Sequence, residues 1–221
     1  MQDFLDFLKQ LIDPVWIHAH GGLYLVAFII FAETGLFVGF FLPGDSILFV
    51  TGMLIAQHQA PFASDPANLF YWMALISICG IVGNLVGYWF GRKSGHLLFE
   101  RKDTWLFKKK HLYQAKEFYE KKGGAAIILA RFLPIVRTFA PIVAGIVGME
   151  RKKFMLYNVI GGLAWVVSLV LVGYALGENE WVKHNLEKII IGLVLVTTAP
   201  VAIKMFFPKK KSAQTAEGPQ E

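Results

Sequence analysis

Four charged residues stand inside two long apolar stretches of the chain, Glu33 and Asp45 in the first and Arg131 and Arg137 in the second. Insertion scales put one centrally placed Asp, Lys or Arg in a membrane at a cost of roughly 2.5 to 3.5 kcal/mol. Four unpaired charges would oppose insertion, so we expect the acids and the arginines to face each other or a shared polar cavity. Such ions mark substrate and ion pathways. The alternative is two structural salt bridges, which gain little over apolar packing.

The chemistry that these residue types favour is anion binding. Guanidinium groups match phosphate bidentately, and free backbone N–H groups at broken helix ends add to the field. Arg131 and Arg137 are therefore candidate substrate-binding residues, with Thr138 as a candidate hydroxyl donor. Glu33 and Asp45 are candidates for counter-ions of the empty site or for proton coupling.

Catalytic motifs are missing from the sequence. It contains no Gly-rich phosphate loop, nucleophile elbow or zinc motif. We therefore predict no enzymatic activity, no cofactor and no metal site. The alternative is a membrane hydrolase with Asp45 as its nucleophile.

Composition places the chain among multi-span membrane proteins, since 55% of its 221 residues are hydrophobic and its mean hydropathy is +0.50. The net charge of +6 comes from Lys and Arg that gather beside apolar segments, as orientation signals do, so nucleic acid is not an expected partner. The single cysteine, Cys79, excludes a disulfide framework within the chain. We predict an all-α integral membrane protein with one membrane domain over residues 1–211.

The elements that must position the charges follow from the apolar pattern. Residues 1–18 have the spacing of an amphipathic helix on the membrane surface, with an ordinary packing helix as the alternative. Residues 92–122 form a basic loop, which the positive-inside rule places in the cytoplasm. The tail 212–221 is predicted to be disordered. One crossing needs about 20 apolar residues, and the runs of that length are 69–91, 154–177 and 189–207.

The apolar run 22–56 is too long for one crossing and too short for two crossings with a turn. Pro43 and Gly44 break this run just before Asp45. Broken backbone at membrane depth is tolerated where protein or a watery cavity covers it. We therefore predict that residues 22–56 form a re-entrant hairpin.

A second hairpin is predicted over residues 123–149. This run lies between two basic segments, so the positive-inside rule places both of its ends in the cytoplasm. A chain that enters and returns on the same side must turn within the membrane, and Pro134 and Pro141 are the predicted breaks. The carboxyl end of the chain then lies in the cytoplasm.

The two hairpins share the tripeptide Phe-Leu-Pro, at residues 41–43 and 132–134. The predicted topology makes the first hairpin enter from outside and the second from inside. Two broken hairpins that enter from opposite faces, each followed by a span, are typical of inverted-repeat transporters with a site near the midplane. The acids of one repeat would then face the arginines of the other.

At these residues the chain resembles the DedA family of bacterial inner-membrane proteins, whose relatives include the eukaryotic VTT-domain lipid scramblases. The resemblance covers about residues 28–177. It is carried by AETGL at 32–36, FLPGD at 41–45, GNLVGYWFGR at 83–92 and ARFLPIVRTFAPIVAG at 130–145.

The resemblance implies two opposed re-entrant hairpins with flanking helices. It also implies the translocation of lipid phosphates, notably the return of undecaprenyl phosphate across the bacterial inner membrane, and a link to envelope stress and to tolerance of alkaline pH. Glu33, Asp45, Arg131 and Arg137 are the charges that it implies are required.

The predicted function is therefore a transporter that moves a lipid phosphate between leaflets of the inner membrane, with proton coupling as a further hypothesis. The expected partners are this substrate and the surrounding membrane lipids. One alternative is a proton-coupled transporter of small cations or amphipathic solutes, in which the carboxylates bind the cargo. A second alternative is a membrane scaffold that assembles other envelope proteins.

Overall fold

The computed structural model describes residues 10–11, 13–36, 44–56, 64–100, 117, 124–177, 179–185, 188–189 and 192. These residues form helices and no strand. In chain order the helices are α1 (Pro14–Ala19), α2 (Gly22–Gly35), α3 (Gly44–Ala56), α4 (Asp65–Glu100), α5 (Ala125–Ala130), α6 (Pro134–Ile146), α7 (Arg151–Leu176) and α8 (Glu180–His184).

Two of these helices, α4 and α7, are long and apolar enough to cross a membrane, over Asp65–Gly95 and Arg151–Leu176. Helix α7 lies close to the predicted span 154–177. Helix α4 contains the predicted span 69–91 but continues to Glu100, so the start of the predicted basic loop 92–122 was placed too early. Arg and Lys are good helix formers, and the continuation is held because Gly95 packs against the backbone of Ile146 in α6. The predicted third span 189–207 and the tail 212–221 lie outside the described residues, apart from residues 189 and 192.

The helices of the two predicted hairpins are short. Helix α2 has 14 residues, and α3 and α6 have 13 each. Their rise is about 20 Å, less than the roughly 30 Å of a bilayer's hydrocarbon core. Such lengths suit the limbs of a hairpin better than complete crossings, and the re-entrant path itself stays a prediction. Pro43 and the rest of the connection 37–43 lie outside the described residues.

The second predicted hairpin contains a helix break at residues 131–133, between α5 and α6. Leu133 has extended backbone angles, φ −116° and ψ 106°, and Pro134 is the first residue of α6. A residue before proline is driven out of the helical region, and proline is accepted at the first helical position. Pro141, predicted as a further break, instead lies inside α6, which continues to Ile146. Its ring removes one helix donor, the one that would bond to the carbonyl of Arg137.

The helices pair reciprocally between the two halves of the chain. Helix α2 packs on α4 and α5 packs on α7, but α3 crosses over to α7 and α6 crosses over to α4. Both crossed pairs meet at glycine: a Cβ at Gly52 would overlap the carbonyl oxygen of Val170, and a Cβ at Gly145 would overlap that of Tyr88. Small residues let helix backbones approach closely. The exchange of partners relates the two halves of the chain, and the inverted repeat itself stays a prediction.

Helix α1 covers only part of the predicted amphipathic helix 1–18. It begins after Asp13, whose side chain accepts a hydrogen bond from the backbone N–H of Val15 at 2.9 Å. Residues 1–9 and 12 lie outside the described part of the chain. Leu11 and Ile17 are buried in the main apolar core with side chains of α2, α3, α4 and α7. The described part of this segment therefore packs against the bundle, and its position at the membrane surface stays a prediction.

Candidate functional site

Arg137 binds both acids of the first hairpin. Its Nη1 donates to Oδ1 of Asp45 at 2.5 Å, and its Nη2 donates to Oε1 of Glu33. Arg137 and Glu33 are almost fully buried, whereas the side chain of Asp45 is 13% exposed. The contact joins α2, α3 and α6, so both predicted hairpins contribute to one charged cluster. Asp45 is its most accessible member.

Gly44 makes room for the carboxylate of Glu33. Glu33 lies in the last turn of α2, and a Cβ at Gly44, the first residue of α3, would overlap that carboxylate. The acid is therefore placed against the amino end of α3, where the helix dipole favours negative charge. Oε2 of Glu33 has no hydrogen-bond partner among the described residues.

Trp165 completes this cluster from α7. Its Nε1 donates to Oδ1 of Asp45 at 2.8 Å, so one carboxylate oxygen accepts from both Trp165 and Arg137. The indole ring lies 4.4 Å from Cζ of Arg137 and 5.8 Å from Cζ of Arg131, within the range of cation–π attraction. The sequence prediction missed Trp165. The available signal was a tryptophan in the middle of a span, since membrane tryptophans concentrate at the two interfaces.

Arg131 lies between α4 and α7 and forms no ion pair with Glu33 or Asp45. Its Nη2 donates to Oδ1 of Asn158 at 2.6 Å and is 3.5 Å from the carbonyl oxygen of Gly80. With the amide of Asn84 oriented to suit its neighbours, the Asn84 oxygen accepts from Nε of Arg131 at 3.1 Å and from Nη2 at 2.7 Å. Gly161 makes room on α7, since its Cβ would lie 3.2 Å from Cγ of Arg131.

The two arginines, which the sequence predicts to face the acids or to share a polar cavity with them, therefore pair unequally with those acids. Arg137 has two carboxylates, whereas Arg131 is 1% exposed and pairs with no carboxylate of the described residues. Nη1 of Arg131 also has no hydrogen-bond partner there. The sequence prediction missed Asn84 and Asn158. The sequence signal that could have identified them is that each is a polar residue within an apolar span. In the structure their side chains contact each other.

The remaining predicted site residues have smaller parts. Thr138 is buried beside Arg137 on the inner face of α6. Thr34, next to Glu33 in α2, donates to the carbonyl of Ile30 within its own helix at 2.8 Å. Within the described ranges, no group of three or more His, Cys, Asp or Glu side chains is placed to hold a metal.

The outer face of the second hairpin is apolar. Phe132, Val136 and Phe139 are 50%, 41% and 45% exposed, whereas Arg137 and Thr138 point inward. An exposed surface of this kind suits contact with lipid chains. The charged cluster and a lipid-facing surface are therefore separated by the width of a single helix.

Comparison with known proteins gives the family. The family model of the VTT domain matches residues 42–175. Protein DedA of Escherichia coli K12 is 41% identical over 92% of this chain and 88% of its own length. An uncharacterised membrane protein of Mycobacterium leprae is 32% identical over 95% and 94%, and the inner membrane protein YqjA of Escherichia coli K12 is 30% identical over 91% and 92%. No solved structure matches the chain significantly. The chain belongs to the DedA family of VTT-domain membrane proteins.

Proposed function

We propose that this protein moves a lipid phosphate, undecaprenyl phosphate above all, between the leaflets of the bacterial inner membrane. The observation that carries the proposal is Arg131, a buried cation that is held by amide and carbonyl oxygens and by no carboxylate of the described residues. A buried charge is costly unless an opposite charge compensates it. A phosphate group supplies that charge and matches the guanidinium fork.

The substrate phosphate engages the two arginines in order. It binds Arg131 first, because no carboxylate has to be displaced there, and then competes with Asp45 for Arg137. Asp45 is the acid that separates more readily, since its side chain is 13% exposed and Glu33 is fully buried. Protonation of either acid weakens its hold on Arg137 and couples transport to protons. A translocation rate that is independent of both pH and the proton gradient would refute this coupling step.

The lipid chain stays in the bilayer while its headgroup crosses. Phe132, Val136 and Phe139 give it an apolar surface beside the cluster. The barrier that the protein lowers is burial of the phosphate, and no covalent step is required. The pairs α2–α3 and α5–α6 act as opposed re-entrant hairpins that expose the site alternately, in the manner of inverted-repeat transporters. In this topology the carboxyl end of the chain lies in the cytoplasm.

The test is transfer of undecaprenyl phosphate between the leaflets of liposomes that contain the purified protein. Arg131→Gln removes the cation, and Asn158→Asp offers Arg131 a carboxylate where an amide oxygen now lies at 2.6 Å. We expect both variants to lose at least about tenfold in rate, which corresponds to about 1.4 kcal/mol. Lys153→Gln, on an exposed side chain, is the matched control. Wild-type rates in both variants, at equal incorporation, would refute the role of Arg131.

A second candidate function is proton-coupled transport of a small cation. The observation that favours it is the cage around Arg137, in which Glu33, Asp45 and the ring of Trp165 already hold a guanidinium group. Carboxylates and an aromatic face are a common way to bind organic cations. In this case Glu33→Gln and Asp45→Asn abolish uptake of a guanidinium compound, and Arg131→Gln leaves it unchanged. The lipid phosphate proposal instead expects Arg131→Gln to slow transport.

A further inference from the structure

A cavity lies away from the charged cluster, where α4 passes the start of α7. Its volume is about 610 Å³, and its lining residues are Leu85, Val86, Tyr88, Trp89, Arg92 and Arg151. This volume falls within the range of about 300 to 1,000 Å³ that is usual for small-molecule sites. Arg92 lies two helical turns beyond Asn84 on α4, which is about 12 Å along the axis. The cavity is therefore separate from the site around Arg131.

The floor of this cavity is fixed by Tyr88. Its hydroxyl donates to the carbonyl of Met149 at 2.5 Å and accepts from Nη1 of Arg92 at 2.8 Å. Its ring stacks on Phe154 with 4.3 Å between the ring centroids. Tyr88 thus ties α4 to the segment between α6 and α7 and holds the Arg92 guanidinium at the cavity.

Both arginines of the cavity have donors to spare. A guanidinium group has five N–H donors, and among the described residues one donor of Arg92 is used, toward Tyr88. Arg151 forms no ion pair with any described residue. The neighbouring acid Glu150 pairs with Lys153 instead, at 3.1 Å. Two guanidinium groups therefore open on one cavity whose described lining residues include no carboxylate.

The other wall of the cavity is apolar and faces outward. Trp89 is 60% exposed and Val86 is 36% exposed, and Nζ of Lys93 lies 5.3 Å from the centre of the Trp89 ring. Exposed tryptophan beside basic residues is typical of the interface between lipid chains and headgroups. The cavity thus offers cations at one side and an apolar surface at the other.

We propose that this cavity binds an anionic phospholipid of the surrounding leaflet, with its phosphate between Arg92 and Arg151 and one acyl chain along Val86 and Trp89. Charge complementarity selects this occupant, because Arg92 and Arg151 present two positive charges to the cavity and none of its described lining residues is acidic. By the positive-inside rule the leaflet is the cytoplasmic one. The bound lipid is a resident ligand that braces α4 against α7, and it is not the transported cargo.

The test is native mass spectrometry of the full-length protein in detergent, titrated with phosphatidylglycerol or with phosphatidylcholine of the same chain length. We expect phosphatidylglycerol to be retained preferentially. Arg92→Gln combined with Arg151→Gln reduces the bound phosphatidylglycerol about tenfold. Lys152→Gln combined with Lys153→Gln removes the same charge from the same end and leaves binding within twofold of the wild type. Equal losses in the two double variants, or no preference between the lipids, would overturn the proposal.

Two further measurements distinguish a lipid site from loss of the fold and from a site for free phosphate. Arg151→Gln alone removes an exposed side chain that forms no ion pair with the described residues, so it keeps the fold and lowers binding several-fold. We expect that glycerol phosphate at millimolar concentration does not displace the lipid, since it has no acyl chain to contact Val86 and Trp89. Full displacement would show that a free phosphate is the ligand and would refute the lipid site. The readout is binding, so the result is independent of whether the protein moves undecaprenyl phosphate.

Discussion

Replacing Arg137 by glutamine should destabilise the protein strongly, and removing its two acids as well should restore it. The single change leaves Glu33 and Asp45 without the cation that both now contact. Glu33 is the costlier of the two, because it is fully buried and its Oε2 already has no partner among the described residues. Asp45 keeps the N–H of Trp165 at 2.8 Å and some access to the exterior.

The size of this effect follows from the burial of the three side chains. Removing one partner of a buried ion pair costs about 3 to 5 kcal/mol, because a charge is left uncompensated. We expect Arg137→Gln to fall in that range. The triple variant with Glu33→Gln and Asp45→Asn leaves no charge without the ion-pair partner that it has in the wild type, so it should lie within about 1 kcal/mol of the wild type.

The assay is reversible unfolding in mixed micelles, with the free energy of unfolding read from circular dichroism during a titration with sodium dodecyl sulfate. Lys153→Gln is the control, because the pair of Lys153 with Glu150 is exposed and should contribute between 0 and about 1 kcal/mol. A triple variant as unstable as Arg137→Gln would refute the reasoning, since the loss would then come from packing and not from uncompensated charge.

Two more predictions concern packing and transport. Gly52→Ala forces α3 away from the carbonyl of Val170 and should lower the free energy of unfolding by about 1 to 3 kcal/mol in the same assay. The control is Gly192→Ala, because a Cβ at Gly192 meets nothing within 4 Å. Equal stability of the two variants would contradict the close contact at Gly52. Trp165→Phe keeps an aromatic ring but loses the hydrogen bond to Asp45, so transfer of undecaprenyl phosphate in liposomes should slow by roughly five- to tenfold, in line with about 1 kcal/mol for one bond. An unchanged transfer rate would show that the ring alone matters.

The cost of burying charge predicts that the charged side chains must be compensated, but it does not identify every residue that compensates them. It requires Glu33, Asp45 and Arg137 to be compensated, and the structure brings these three together. It gives no reason to expect Arg131 to be held by Asn84 and Asn158. These residues belong to different spans, so their meeting depends on where α4 and α7 cross, which no local pattern records.

The predicted helix boundaries were wrong where packing opposed a single local sequence signal. Pro141 indicates a break, yet it removes a single donor, and α6 continues because its inner face packs on α4. Arg92 and Lys93 indicate a loop by their charge, yet both are good helix formers. Beyond them, Gly95 lets α4 continue against Ile146. In both places the contact that decides the outcome comes from a distant part of the chain.

The exchange of helix partners also fixes an order of events during synthesis. Helix α3 enters the membrane long before α7, the helix on which it packs, has been made. Glu33 and Asp45 likewise precede Arg137, by on the order of ten seconds at typical rates of translation. Throughout that interval the nascent protein holds two acids without their cation and an apolar helix face without its partner. The contacts of the amino-terminal half are thus complete only after the carboxyl-terminal half has been made.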